Sequence, residues 1–120
     1  MKVLNILILD DEEMLLDLLT VMLRPHASTV CSSLLEAKAL IEPNPYAFDV
    51  MLCDIMMPNG GGLDLYEWLG TIDPSLIERL LFVTGGVGHD LIQKMAVAGR
   101  PILHKPFSIA QLHERLNDFL

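Results

Sequence analysis

The chain has 120 residues, a formal charge of −8 and 52% hydrophobic residues. That length suits one domain burying roughly two-thirds of its unfolded surface, and no apolar run nears the ~18 to 20 residues of a membrane span. The acidic balance and scattered Lys and Arg argue against direct binding of nucleic acid, which needs clustered positive charge.

Strand and helix patterns alternate along the chain. A strand over 3–9 leads into a helix over 12–23, which Pro25 closes because proline cannot easily continue a helix. A short strand over 28–31 and a helix over 34–42 follow, the latter ended by Pro43 and Pro45. The third strand spans 49–53, an unbroken apolar run of the kind buried on both faces of a parallel sheet. A helix over 63–69 passes through the Asp73-Pro74 turn to a fourth strand over 80–83. A helix over 90–98 precedes the fifth strand, which starts at Pro101. In the last helix Ser108 and Gln111 form a capping box, and Ile109, Leu112, Leu116 and Phe119 make one apolar stripe. The fold class is therefore α/β: a five-stranded parallel sheet with helices on both faces. The first helix has only Asp17 and Thr20 as polar breaks between Met14 and Leu23. Either the fold covers it twice, or part of it is an exposed apolar patch for a partner.

Four strand ends carry the chemistry. Asp10 and Asp11 follow the first, Asp54 the third, Thr84 the fourth and Lys105 the fifth. Open α/β sheets place their ligands at this carboxyl edge. Converging carboxylates raise one another's pKa unless a cation intervenes. An all-oxygen, partly open site suits Mg²⁺. A carboxylate held there is a competent nucleophile toward phosphorus, and Lys105 and Thr84 supply a charge and a donor for phosphoryl oxygens. Plainer readings stand beside these: Asp11 as a helix cap, Lys105 as a solvated strand-end lysine, Thr84 as a turn opener. Gly60, Gly61 and Gly62 lack the Lys-Ser/Thr of a P-loop and read as a flexible loop. Met56 and Met57 read as packing residues, with only the Met56 backbone oxygen of chemical interest. Cys31 and Cys53 read as buried thiols, and neither they nor the histidines match a transition-metal spacing.

The set Asp10-Asp11-Glu12, Asp54 with Met57-Pro58, Thr84-Gly85 and Lys105-Pro106-Phe107 resembles the receiver domain of two-component response regulators, over essentially the whole chain. The resemblance implies a sheet order of 2-1-3-4-5 and Asp54 as phospho-acceptor. It also implies Mg²⁺ on Asp11, Asp54 and the Met56 carbonyl, with Asp10 acting largely through a metal-bound water. Thr84 and Lys105 would hold the phosphoryl oxygens, and Lys105–Pro106 would be cis. The implied partner is a histidine kinase or histidine phosphotransfer protein, with homodimerisation left open. The protein is then a signalling domain rather than an enzyme with turnover. With no signal-peptide pattern at 1–5, the expected location is the cytoplasm, and residues 1–120 are expected to be a single receiver domain without an output domain.

Three departures qualify this. Ile102 stands where the family usually has Tyr or Phe, which puts the usual aromatic switch in doubt. Gly60 and Gly61 replace a common Met-Asp and should loosen the loop beside Asp54. Residues 99–105 are closer to receivers of hybrid sensor kinases than to those of transcription factors, suggesting a relay module. Two other functions stay open. One is a non-switching docking or dimerisation module with the receiver fold. The other is a haloacid-dehalogenase-like phosphatase, which wants a second Asp where this chain has Met56.

Overall fold

The computed structural model describes residues 2–57, 60–85 and 99–120. Five parallel strands, β1 (Asn5–Leu9), β2 (Ala27–Cys31), β3 (Val50–Asp54), β4 (Leu80–Thr84) and β5 (Ile102–His104), form one sheet in the order β2-β1-β3-β4-β5. Helices α1 (Glu13–Met22), α2 (Leu34–Ile41), α3 (Gly62–Ile72) and α4 (Ile109–Leu116) connect or follow them. A 3-10 helix, Pro74–Arg79, occupies what the Asp73-Pro74 signal alone reads as a turn. The helix expected over 90–98 lies outside the described residues. No helix among the described residues is long and apolar enough to cross a membrane.

Strand side chains alternate between the two faces, and here both faces are buried. Leu7, Leu9, Met51, Cys53, Leu80 and Phe82 point to one core with α2 and α3. Ile6, Ile8, Val50, Leu52, Leu81 and Val83 point to the other, with α1 and α4. This double coverage is why β3 and β4 are buried at every position and read as unbroken apolar runs.

The polar signals for the helix starts hold locally. Ser108 Oγ accepts from the Gln111 N–H at 3.1 Å while Ser108 N–H donates to Gln111 Oε1 at 2.8 Å. Of the α4 stripe, Leu112 and Leu116 are buried, Phe119 is half-buried in a terminal 3-10 turn, and Ile109 stays exposed. In α1 the inner face is Leu16, Leu19 and Met22, whereas Met14, Leu18 and Val21 are exposed. The apolar character of α1 therefore reflects a bare outer face, not double coverage.

The glycine run also has a packing role. Gly61 and Gly62 are buried. A Cβ on Gly61 would run into the Ile55 carbonyl oxygen, and one on Gly62 would meet Phe82 Cδ1 at 2.8 Å. Absence of side chains lets the first turn of α3 lie directly on the backbone that follows Asp54. Gly60 has φ +115°, a conformation that side chains rarely adopt.

Leu52 fills the α1/α4 core and Leu35 is 79% exposed on α2. Leu52→Ala is expected to cost about 2–5 kcal/mol through lost burial and the cavity left behind. Leu35→Ala should stay within about 0.5 kcal/mol. Urea denaturation midpoints of the two variants check this, and equal midpoints would contradict the two-faced core.

Candidate functional site

The sheet order makes β1 and β3 neighbours, so Asp10, the first residue past β1, and Asp54, the last of β3, emerge side by side. Lys105, the first residue past β5, reaches across β4 toward them. Backbone bonds continue the ladder to this edge: Asp10 N donates to Cys31 O at 3.2 Å, Ile55 N to Val83 O at 3.0 Å and Lys105 N to Thr84 O at 2.7 Å. The Lys105–Pro106 peptide bond is cis, as the resemblance implies.

The Lys105 Nζ lies 3.1 Å from Asp10 Oδ2 and 3.4 Å from Asp54 Oδ2. Both acids are nearly buried, at 2% and 5% exposure. Their other oxygens are held by local backbone: Asp10 Oδ1 accepts from Glu12 N–H and Asp54 Oδ1 from Met56 N–H, each at 2.9 Å. Burial pushes the Asp54 carboxyl above its usual range. The Met56 N–H and the Lys105 charge pull it back, and the Asp10 charge adds to the rise. For Lys105, burial pulls the ammonium down. The hydrogen bond and charge of Asp10, followed by those of Asp54, outweigh burial and hold it above its usual value.

Thr84 is 2% exposed, and its Oγ1 has no hydrogen-bond partner among the described residues. A buried hydroxyl without a partner is costly, and this one sits at the end of β4. Asp11 is exposed. One carboxylate oxygen from each of Asp10, Asp11 and Glu12 lies within 4.8 Å of the others. Asp54 lies outside that tight group and joins it through Lys105. Lys105, Asp10 and Asp54 are thus in contact, with Asp11 and Glu12 beside Asp10, and Glu12 is a member that strand-end reading did not single out. Its signal was its place beside the Asp pair and 3.9 Å from Lys105 Nζ. Met57 packs on the core, but the Met56 side chain is 55% exposed rather than a packing group.

A groove of about 490 Å³ opens beside the ammonium, between α1 and the segment after β5. Leu15, Leu18, Met22 and Phe107 form its apolar wall, with Glu12 and Lys105 at its rim. A larger cavity, about 850 Å³, lies at the opposite sheet edge. Its two guanidiniums are engaged by backbone: Arg79 donates to Phe48 O at 2.8 Å, and Arg100 to Glu78 O at 2.7 Å and Leu80 O at 2.9 Å. That cavity brings together none of the strand-end groups.

Comparison with known proteins points the same way. A family model described as the response regulator receiver domain matches residues 6–117. The probable transcriptional regulatory protein TcrX of Mycobacterium tuberculosis is 28% identical over 116 residues, covering 97% of this chain and 49% of that protein. The chain therefore spans about half the length of that curated relative. A response regulator receiver domain protein from Clostridium thermocellum superposes with a TM-score of 0.86 at 25% identity, covering 98% of this chain and 94% of the other. A CheY-like receiver domain protein from Methanospirillum hungatei gives 0.83 at 25% identity, covering 98% and 93%.

Because the native Asp54 carboxyl titrates above its unfolded value, its contribution to stability is present below the unfolded pKa. That contribution is lost as pH rises through the raised one. Once ionised, the buried Asp54 is therefore a cost to the fold. Asp54→Asn is expected to raise the urea midpoint at pH 7 and to lose that advantage below about pH 4. A lower midpoint at pH 7 would contradict the burial of this charge.

Proposed function

This chain belongs to the response regulator receiver family, and we propose on that premise that Asp54 is its phospho-acceptor. The donor is a phosphohistidine on a histidine kinase or phosphotransfer protein. The observation that supports this most is the ammonium of Lys105 between two buried carboxylates, with the Thr84 hydroxyl, unpaired among the described residues, on the adjoining strand.

With Oδ1 engaged by the Met56 N–H, Asp54 Oδ2 is the oxygen for attack. The new O–P bond forms as the P–N bond to the donor imidazole breaks, and the ring nitrogen keeps the electron pair. Phosphoryl transfer spreads charge over three equatorial oxygens, so the protein's task is positioning and neutralisation. Lys105 supplies a positive charge and Thr84 a hydrogen-bond donor for those oxygens.

An all-oxygen set built on few carboxylates and left open suits Mg²⁺ better than a softer metal. Asp10, Asp11, Asp54 and the Met56 carbonyl would hold it, Asp10 largely through water. When bound, the ion would neutralise phosphoryl charge and offset the repulsion between Asp10 and Asp54. The apolar groove of Leu15, Leu18 and Phe107 beside Lys105 and the bare outer face of α1 suit the docking of the donor. Phosphorylation then switches partner binding.

A second reading, a non-switching docking module, draws on Ile102. It is half-buried against the core that holds Phe82, and its aliphatic side chain has no ring to swing. Partner affinity with and without beryllofluoride separates the two, since a switching receiver changes affinity and a docking module does not.

The primary reading is tested with acetyl phosphate. Wild-type protein is expected to label with Mg²⁺ and not in excess EDTA. Thr84→Ala should slow labelling by about 100-fold, the scale for loss of one donor to developing charge. Labelling that persists unchanged in EDTA would contradict it.

A further inference from the structure

We infer that Glu12 is a positioning residue for Lys105, receiving its ammonium when Asp10 and Asp54 take up a divalent cation. This rests on the metal-dependent reading above and concerns a side chain that reading leaves without a role.

Lys105 Nζ has three carboxylates in reach, at 3.1 Å (Asp10), 3.4 Å (Asp54) and 3.9 Å (Glu12). The two nearer ones are buried, with side chains 3% and 6% exposed, while the Glu12 side chain is 68% exposed. A divalent ion held at these carboxylates would repel an ammonium a few ångströms away and weaken its hold on them. Lys105 displaced from Asp10 and Asp54 without another partner would be a stranded, partly buried charge.

The path of that movement is restricted. The lysine stem lies on Gly85: a Cβ there would meet Lys105 Cδ at 3.2 Å and Lys105 Cβ at 3.5 Å. The glycine makes a bed for the stem, so the head can pivot while the stem stays. Glu12 is the acid within the pivot's reach that the metal reading does not claim. Its carboxylate is also unspent. Glu12 occupies the N-cap position of α1, yet its side chain makes no capping bond, and its own N–H is satisfied by Asp10 Oδ1. The charge of Glu12 attracts a divalent ion as well, so the specific content is coupling: part of its effect on metal affinity must run through Lys105.

The test is a Mg²⁺ titration by calorimetry on the full chain, as a double-mutant cycle of wild type, Glu12→Gln, Lys105→Met and the double variant. Glu12→Gln is expected to weaken Mg²⁺ binding about two- to five-fold more with Lys105 present than with Met at 105, the range for an exposed ion pair. Equal losses in the two backgrounds would overturn the inference, leaving Glu12 as a simple charge. A smaller loss with Lys105 present would overturn it too. Absence of Mg²⁺ binding by the wild type would overturn the metal-dependent reading itself and this inference with it. If Lys105→Met does not fold, Lys105→Gln takes its place in the cycle.

Discussion

Two carboxylates on neighbouring strands, each almost sealed from water, share one ammonium that arrives from the far side of the sheet. Every other feature of this edge follows from that electrostatic knot. Buried carboxylates without a cation would repel and protonate. With Lys105 between them at 3.1 and 3.4 Å they stay close enough to act together. The arrangement is stable without being inert, since burial still pushes the Asp54 carboxyl upward.

The knot depends on topology. Strand order 2-1-3-4-5 puts β1 beside β3 and spaces β5 two strands from β3. The stem of Lys105, reaching Asp10 and Asp54 from β5, lies against Gly85 just past β4, where a Cβ would meet Lys105 Cδ at 3.2 Å. On the other side, α3 begins flush against the backbone after Asp54, because Gly61 and Gly62 carry no side chains. The first turn of α3 therefore rests on that backbone directly, with no side chain between them.

Much of this was legible in the chain itself. Apolar runs ending abruptly in Asp10, Asp54, Thr84 and Lys105 mark strand ends, because a parallel strand buried on both faces leaves polar groups nowhere but its edge. The capping box at Ser108 and Gln111 is local chemistry and survived intact. What depends on tertiary placement was less readable. Periodicity placed Ile109 in the α4 stripe, but where a helix stops facing the sheet is not encoded in its period. The apolar excess of α1 gave two alternatives, and only burial shows that Met14, Leu18 and Val21 form a bare face. Glycine composition alone did not reveal the close backbone approach at Gly61. Glu12 was quoted with the Asp pair yet assigned nothing, since its significance lies in a distance to a residue 93 positions away.

The most direct test of the central claim is where the phosphoryl group lands. After labelling with acetyl phosphate and Mg²⁺, borohydride reduction converts an aspartyl phosphate to homoserine, which peptide mass spectrometry locates. The expected result is a single modified position at residue 54. Modification at Asp10 or Asp11, or a label confined to a histidine, would contradict the account of how this edge of the sheet works.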